Sequence, residues 1–310
     1  MRTEAAFLLR GLLAHVPWYR CWLLRRARTG GTDSARYCYS VCLRHLVRLE
    51  QNGVEVPPRR VAELGPGDSI GVGLAMLLAG AERYVALDVF PYSNPARWLK
   101  ILDELLPLFQ KRAPIPDGAE FPEVRPVLAD HRYPERCLHR ADASPQRVRT
   151  LREEIAREES AHVRYVCPWH ASSQLEPGSI DLLFSQAVME HVLDLDATHR
   201  AAFAWLAPGG RCSHTIDFRC HGTSSVWNGH WRYPEPVWNL AMARREFTMN
   251  RRSLSQHLAS ARSAGFEVVH QEVARREDGL PRRALAREFR DLPSDDLSAS
   301  GVHLILRRPP

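Results

Sequence analysis

A glycine-rich turn bordered by two acidic residues carries the clearest chemical signal in this sequence of 310 residues. The run GPGDSIGVG places Gly65, Gly67 and Gly71 where an apolar strand gives way to a helix. Glycine is needed at such a turn because a side chain would keep the backbone away from a nucleotide-like ligand. Glu63 precedes the turn, and Asp88 lies 21 residues after Gly67, where a carboxylate can accept hydrogen bonds from both hydroxyls of a ribose. The pattern therefore predicts a binding site for a nucleotide-like ligand.

A second set of polar residues follows the apolar runs that we interpret as the fourth and fifth strands. Glu190 and His191 come shortly after the first run, Asp217 ends the second, and His221 lies four residues further on. Because parallel strands end at one edge of a sheet, these side chains could face a ligand at the glycine turn. A positioned imidazole can take the proton of a reacting hydroxyl. We therefore predict that His221 is a general base held by Asp217, with His191 as a further catalytic candidate and His230 ranked below them.

Each of these histidine assignments has a structural alternative. His221 can be a loop histidine with local hydrogen bonds, and the Glu190-His191 pair can shape or cap the helix after the fourth strand. Other side chains of metal-ligand type are His131, Cys137, His139, His162, Cys167 and His170. Their spacing matches no standard zinc site, so the sequence predicts no metal centre.

Short apolar runs separated by helical stretches begin at Arg60 and predict a parallel sheet covered on both faces. The expected strands are residues 61–64, 84–87, 163–167, 180–185, 211–216, 266–271 and 302–306. The spacing of apolar residues predicts helices at 4–16, 34–51, 95–111 and 144–160. The predicted fold class is α/β, a doubly wound, Rossmann-like sheet of seven strands with a helical amino-terminal extension.

Two stretches are too long to be simple connections in such a sheet. A strand-helix-strand unit takes about 30 residues, whereas residues 89–162 separate the second and third predicted strands. A second irregular stretch, 218–250, follows the fifth strand and contains Trp227, Trp231, Tyr233 and Trp238. Either stretch can be a lid over the site or a structural addition. We divide the chain into a basic helical extension, 1–59, and a sheet domain, 60–310, which contains this insert and this lid-like loop.

Four motifs follow one another in a characteristic order. They are ELGPG at 63–67, ALD at 86–88, ASSQLEPGSIDLLFSQAVMEHV at 171–192 and WLAPGGR at 205–211. As a set, spread over about half of the chain, they resemble the motifs of class I S-adenosylmethionine-dependent methyltransferases, in the small-molecule branch of the ubiquinone-biosynthesis type (methyltransferase type 11). The resemblance implies that residues 60–310 form a methyltransferase domain with S-adenosylmethionine as its cofactor. It further implies a small-molecule acceptor, and we expect O-methylation of a sugar, a glycolipid or a secondary metabolite.

The resemblance also implies roles for individual residues. Glu63, Gly65 and Gly67 would hold the methionine and ribose parts of the cofactor, and Asp88 would hold the ribose diol. TIDFRCH at 215–221 resembles small-molecule methyltransferases in which an aspartate and a histidine follow the fifth strand.

The remaining cofactor contacts implied by the resemblance follow the third and fourth strands. The loop after the third strand packs against adenine in this family and usually offers it an acidic residue, but here the loop reads CPWHA. Trp169 is our candidate for stacking on adenine, with His170 beside it. Ser185 and Gln186, at the end of the fourth strand, would line the cofactor next to its methyl group.

The net charge of +6 is concentrated at the amino end, where the first 60 residues hold 11 arginines and four acidic residues. A local basic excess indicates one docking patch and does not favour nucleic acid as a partner. Residues 1–30 combine an amphipathic pattern with aromatic and arginine side chains. This segment can lie on an anionic membrane or meet a lipid-linked substrate, or it can pack on the domain.

Seven scattered cysteines with no C-x-x-C pair predict a reducing, cytoplasmic location, peripheral to the membrane if the amino end docks there. Three other functions stay open at this point. A nicotinamide-dependent oxidoreductase could use the same topology, and the basic amino end could serve RNA or protein methylation. The N-P-P-[YF] signature of amino-group methylation is replaced by SQAV at 185–188. A non-catalytic protein could also retain the cofactor-binding fold.

Overall fold

The computed structural model describes most of the chain, namely residues 2–16, 18–19, 31–157, 160, 162–169, 175–243, 245 and 248–310. His170, a predicted cofactor contact, and residues 20–30 of the basic amino-terminal stretch lie outside the described residues. No helix within the described ranges combines the length and the apolar character needed to cross a bilayer.

Seven strands form one sheet in the order β3-β2-β1-β4-β5-β7-β6. They are β1 (Arg60–Leu64), β2 (Arg83–Leu87), β3 (Val163–Val166), β4 (Ile180–Gln186), β5 (Leu206–Asp217), β6 (Glu267–Arg275) and β7 (Ala299–Arg307). All seven predicted strands are confirmed. β5 begins earlier than expected because Leu206 already pairs with Ile180, ahead of a register shift. The four pairs among β1 to β5 are parallel, so the predicted carboxyl edge is present.

The expectation of a wholly parallel sheet needs correction at β7. This strand runs antiparallel to both β5 and β6. A parallel pair requires a crossover across the face of the sheet, usually a helix. Residues 276–298, between β6 and β7, contain only short helical turns, so the chain returns along the same edge of the sheet.

Helices cover both faces of the sheet. They are α1 (Arg2–Leu13), α2 (Ala35–Gln51), α3 (Gly71–Leu78), α4 (Pro95–Gln110), α5 (Pro145–Ala156), α6 (Leu195–Trp205), α7 (Glu235–Met242), α8 (Leu254–Ser263) and α9 (Ser294–Ser298). The helices predicted in residues 1–59 and 89–162 are confirmed, with small shifts at their ends. α2, α4 and α5 each begin after a capping residue whose side chain accepts a hydrogen bond from a backbone N–H in the first turn of the helix. These capping residues are Ser34, Asn94 and Ser144.

Alternate side chains of the central strand β4 enter two separate apolar clusters, as the two-residue period of a strand requires. Leu182 and Phe184 join residues of α2, α3, α4 and α5, whereas Leu183 joins residues of α6 and α8 on the other face. All of α3 is buried. A Cβ atom on Gly73 would lie only 2.0 Å from the ring of Tyr84, so the helix after the glycine turn packs directly on β2.

α2 belongs to the core of the sheet domain even though it precedes the first strand. Its apolar residues share a cluster with Val61 of β1. The boundary proposed at residue 59 stays a prediction.

Arg44 of α2 fastens the long insert to this core. It is 1% exposed, and its guanidinium donates to the carbonyl oxygens of Pro116 and Pro126 at 2.8 and 2.7 Å and to the hydroxyl of Ser40 at 3.0 Å. A buried charge is tolerable only when such donors are satisfied. Arg44 is therefore a buried contact that holds the insert to the core, together with Tyr39, whose hydroxyl donates to the carbonyl oxygen of Ala113 at 2.7 Å. The insert also reaches the candidate site, where its Glu123 pairs with Arg219.

We predict that Arg44→Ala lowers the free energy of unfolding by about 3 kcal/mol, because two buried carbonyl oxygens lose their charged donor. Urea unfolding followed by circular dichroism measures the change. Arg36→Ala is the matched control on the same helix, since Arg36 also pairs with the insert, through Glu120, but at an exposed position. The control substitution should lower the free energy of unfolding by less than about 1 kcal/mol. Equal losses in the two variants would refute the special role of Arg44.

Candidate active site

The glycine turn after β1 has the backbone that the sequence predicted. Gly65 and Gly67 have φ angles of +64° and +72°, in the left-handed region that favours glycine. The N–H of Gly65 donates to the carbonyl of Leu87 at 2.8 Å, which ties the turn to the end of β2. A Cβ atom on Gly65 would lie 2.6 Å from Cγ2 of Val188, just beyond β4. Gly65 is therefore required both for its conformation and for the close approach of two loops.

Asp88 faces the glycine turn from the end of β2. Its Oδ2 accepts from the N–H of Gly67 at 3.3 Å, and its Oδ1 accepts from the N–H of Val89 at 2.7 Å. The residue is 4% exposed. Burial raises the pKa of this carboxyl, and the backbone donors offset part of the shift. The turn and the carboxylate thus form one unit.

Glu63 lies beneath the turn. It is 2% exposed, and one carboxyl oxygen accepts a hydrogen bond from the hydroxyl of Tyr84. Burial raises the pKa of Glu63 to about 8, so this side chain is largely protonated at neutral pH. Its direct contact is with the core of the sheet, and its proposed role toward the cofactor stays a prediction.

The loop after β3 joins the same unit through its backbone. The N–H of Trp169 donates to the carbonyl of Asp88 at 2.9 Å. The indole is 9% exposed and packs edge-on against Trp205, with ring centroids 6.0 Å apart. Most of the ring is therefore committed to the core, and stacking on adenine could use only its outer edge. His170 lies outside the described residues.

Ser185 and Gln186 end β4, but their side chains point into the two buried layers. The hydroxyl of Ser185 lies 2.8 Å from Nδ1 of His214, and Oε1 of Gln186 lies 3.2 Å from Nε2 of His45. Adjacent residues of a strand face opposite sides, which explains the divergence. Any contact of Ser185 with the cofactor would come from its backbone, since its side chain is fully buried.

The residues at the carboxyl edge fit an adenosyl cofactor. Two left-handed glycines expose the backbone of the turn, and the carboxylate of Asp88 lies beside them, as a ribose diol requires. Gly65, Gly67, Asp88 and the backbone of Trp169 are brought together here. Glu63, Ser185 and Gln186 support the edge from below.

The predicted catalytic residues meet at the neighbouring strand ends. Nε2 of His221 lies 3.8 Å from Oδ2 of Asp217 and 3.9 Å from Oε1 of Glu190. The ring of His191 stands 5.2 Å from that of His221. His221 itself has a φ of +44°, a costly conformation for a residue with a side chain. The fold therefore assembles Glu190, His191, Asp217 and His221 from two separate loops.

The sequence predicted that Asp217 holds His221. In the structure the two side chains are 3.8 Å apart and form no hydrogen bond. Arg219 binds both oxygens of Asp217, with its Nε at 2.9 Å and its Nη2 at 2.6 Å. Interaction with this guanidinium and with His221 outweighs the effect of burial, so the pKa of Asp217 is lowered. The 3.8 Å separation leaves Asp217 an electrostatic neighbour of His221.

Glu190 is the functional candidate whose importance sequence reasoning underestimated. Its side chain is 3% exposed, and neither carboxylate oxygen has a hydrogen-bond partner within the described part of the chain. Burial raises its pKa well above the ordinary value. The signal was the Glu190-His191 pair itself, but only the fold brings His221 to it.

A pocket of about 320 Å³ opens beside this group. Its walls include Asp217, Arg219, His221, Ser224, Ser225 and Trp227. Arg219 also pairs with Glu123, so the insert borders the entrance. The volume is that of a small-molecule pocket.

The tryptophans of the 218–250 loop mainly anchor it. Trp231 is fully buried and donates its indole N–H to the carbonyl of Arg251 at 3.0 Å, and Trp238 is 3% exposed. Trp227 alone of the three lines the pocket. Buried aromatic side chains thus tie this loop to the core, and its role as a lid stays a prediction.

Comparison with known proteins points to the same class. Residues 125–213 match a family model described as a methyltransferase domain (methyltransferase type 11). No curated protein matches the chain.

Solved structures that resemble the chain include three methyltransferases of low sequence identity. An S-adenosylmethionine-dependent methyltransferase from Mesorhizobium loti is 15% identical, with 90% of this chain and 100% of that chain covered and a TM-score of 0.44. One from Methanosarcina mazei is 10% identical, with 84% and 97% covered and a TM-score of 0.43. Phosphoethanolamine N-methyltransferase 2 from Haemonchus contortus, bound to S-adenosyl-L-methionine, is 16% identical, with 90% and 57% covered and a TM-score of 0.44.

The sheet, the glycine turn with its facing carboxylate and the family match together define a class I methyltransferase. Residues 125–213 carry the match to a methyltransferase domain, and the chain is an S-adenosylmethionine-dependent methyltransferase. The prediction made from its motifs is confirmed at this level.

We predict that Gly65→Ala weakens binding of S-adenosylmethionine at least about tenfold, because the added Cβ atom would push Val188 into the cleft. Isothermal titration calorimetry measures the dissociation constant. Gly53→Ala is the matched control, since Gly53 also has a positive φ, of +73°, but has open space around it. The placement of the cofactor would be contradicted if both variants lost the same affinity, or if Gly65→Ala bound S-adenosylmethionine as tightly as the wild type. Asp88→Ala should weaken binding as Gly65→Ala does.

Proposed function

We propose that this methyltransferase methylates a hydroxyl oxygen of a small molecule such as a sugar, a glycolipid or a secondary metabolite, with His221 as the base. The observation that carries the proposal is the position of His221, which lines the pocket and lies within 4 Å of two carboxylates. Gly65, Gly67 and Asp88 would hold the cofactor, with Glu63 beneath them.

In this reaction the protein itself would transfer one proton, the proton of the acceptor hydroxyl. When bound, S-adenosylmethionine supplies a methyl group that is already activated by a positively charged sulfur. Nε2 of His221 takes the proton of the acceptor hydroxyl, and the oxygen forms the new bond to carbon. The carbon–sulfur bond breaks, and its electron pair remains on the sulfur. The remaining task is alignment of the acceptor with the methyl group, to which the pocket walls would contribute.

Asp217 would assist this transfer electrostatically. An imidazolium on His221 lies 3.8 Å from Oδ2 of Asp217, close enough for attraction but too far for a hydrogen bond. Arg219 fixes the carboxylate in place. His191 supports the ring of His221 from the other side, with the two ring planes inclined at 65°.

The composition of the pocket favours a small polar acceptor. Ser224 and Ser225 offer hydroxyl groups, and Trp227 offers an aromatic wall. This combination suits a molecule that has both hydroxyl groups and an apolar face. We infer a cytoplasmic location from the cysteines, six of which lie in the described residues as free thiols.

The amino-terminal helix leaves part of its apolar surface exposed. Phe7 is buried against Tyr233 and Trp238, so one face of α1 packs on the domain. Leu9 and Leu12 are 58% and 53% exposed on the other face. We propose that this exposed face and the arginines that follow it contact an anionic membrane surface, which would present a lipid-linked acceptor.

We predict that His221→Ala lowers kcat by roughly 10²- to 10⁴-fold, the usual contribution of a general base. Acceptors are first screened with a labelled methyl donor, and the variant is then compared on the best acceptor. His139→Ala, an exposed histidine of the insert, is the control and should retain the activity. Unchanged turnover in His221→Ala would reject the base, and a nitrogen acceptor would reject O-methylation.

We predict that serine at both Leu9 and Leu12 strongly reduces sedimentation with vesicles of phosphatidylserine and phosphatidylcholine, because less apolar surface enters the interface. Val127→Ser is the control, since Val127 is 50% exposed on the insert. Deletion of residues 1–30 should abolish sedimentation. Undiminished sedimentation in both the double variant and the deletion would refute the membrane contact.

A further inference from the structure

Three side chains from two loops direct metal-ligand atoms toward one point. A carboxylate oxygen of Glu190 and a ring nitrogen from each of His191 and His221 all lie within 4.8 Å of one another. Two imidazoles and one carboxylate form the protein ligand set of many catalytic zinc sites. The spacing rules applied to the sequence missed this group because His221 is 30 residues away along the chain.

Glu190 provides independent evidence that a cation belongs here. The carboxylate is buried, and neither oxygen has a hydrogen-bond partner among the described residues. Burial without a partner disfavours the ionised form of this carboxyl, whereas a bound cation would stabilise that form. Nε2 of His221, which belongs to the same group, lies 3.9 Å from Oε1 of Glu190.

His191 is oriented as a ligand by its backbone contact. Its Nδ1 lies 2.8 Å from the carbonyl oxygen of Thr248 and therefore carries the proton in that hydrogen bond. This tautomer places the ring's lone pair on Nε2. Histidines that bind metal usually donate their other ring N–H to a carbonyl or a carboxylate in this way.

The turn that carries Glu190 and His191 is held firmly. The side-chain amide of Asn250 donates to the carbonyl oxygens of Met189 and Val192, each at 2.8 Å, and its backbone N–H donates to that of Glu190 at 2.8 Å. A site built on a fixed turn loses little conformational entropy when it binds an ion.

We propose that Glu190, His191 and His221 bind one divalent ion of the zinc class, with its outer coordination position open to the pocket. Ligand atoms around tetrahedral zinc stand about 3.3 Å apart, given metal–nitrogen bonds of about 2.0 Å. The present separations need only a modest contraction, which His221 can supply because it is one-third exposed on its loop. That exposed side leaves room for water or an acceptor oxygen.

A bound ion would change the catalytic role of His221. This consequence rests on the proposed function, whereas the proposal that the site binds a metal ion does not. A nitrogen that ligates a metal cannot accept a proton at the same time. An acceptor hydroxyl bound to the ion loses its proton more readily, and the proton passes to water in the open pocket. The oxygen then forms the bond to the methyl carbon while the carbon–sulfur pair stays on sulfur.

Metal binding is tested on the full chain, freed of metal by a chelator and titrated with zinc in competition with a chromophoric chelator. We expect one ion per chain and a rise in the melting temperature on binding. Glu190→Gln and His221→Ala should each weaken zinc binding at least about tenfold. Cobalt added instead of zinc should give the visible absorption of a four-coordinate site, which each of these variants should lose.

His139→Ala is the matched control and should bind zinc as the wild type does. Melting curves of the metal-free variants establish whether each is folded. If Glu190→Gln does not fold, the test relies on His221→Ala. No stoichiometric binding, or binding equal to wild type in the folded variants, would overturn the proposal. Neither cofactor nor acceptor is present in the assay, so failure of the proposed methyl transfer would leave its outcome unaffected.

Discussion

The carboxyl edge of the sheet depends on the hydrogen bonds of a single residue, Asp88. Its side chain accepts from Gly67 in the turn after β1 and from Val89 in its own loop, and its carbonyl oxygen accepts from Trp169 after β3. Three loops thus share one hydrogen-bonded centre. A buried carboxylate with backbone donors is rigid, because every displacement leaves a polar group unpaired. The proposed cofactor site is therefore a preorganised surface.

The two faces of the sheet support this edge with buried polar contacts as well as apolar packing. His45 of α2 lies 2.7 Å from the hydroxyl of Ser213, and His214 lies 2.8 Å from that of Ser185. Burial lowers the pKa of His45 to about 4 and lowers the pKa of His214 well below its ordinary value, so both rings are neutral near pH 7. Neutral imidazoles can be buried at lower cost than charged ones. They connect β4 and β5, whose ends carry the catalytic candidates.

The sequence predicted the elements of the fold because most of the strands contain a short apolar run of strand length, and glycine marked the critical turn. It predicted Asp88 correctly as a neighbour of that turn, since the distance along the chain fixes both strand ends. The antiparallel direction of β7 could not be predicted. It depends on whether residues 276–298 cross the face of the sheet or lead straight back from the end of β6 into β7. The directions of the Ser185 and Gln186 side chains also depend on the layers formed by distant helices.

Charge balance at the second site explains why a proton and a metal ion are alternative occupants. Arg219 neutralises Asp217 and also pairs with Glu123, so that carboxylate needs no further cation. Neither carboxylate oxygen of Glu190 has a hydrogen-bond partner in the described part of the chain, and Nε2 of His221 lies 3.9 Å from one of them. Positive charge can reach this position as the proton that His221 would take from the acceptor during the reaction, or as an ion shared among Glu190, His191 and His221. Both place positive charge beside the pocket, where a hydroxyl that loses its proton becomes negative.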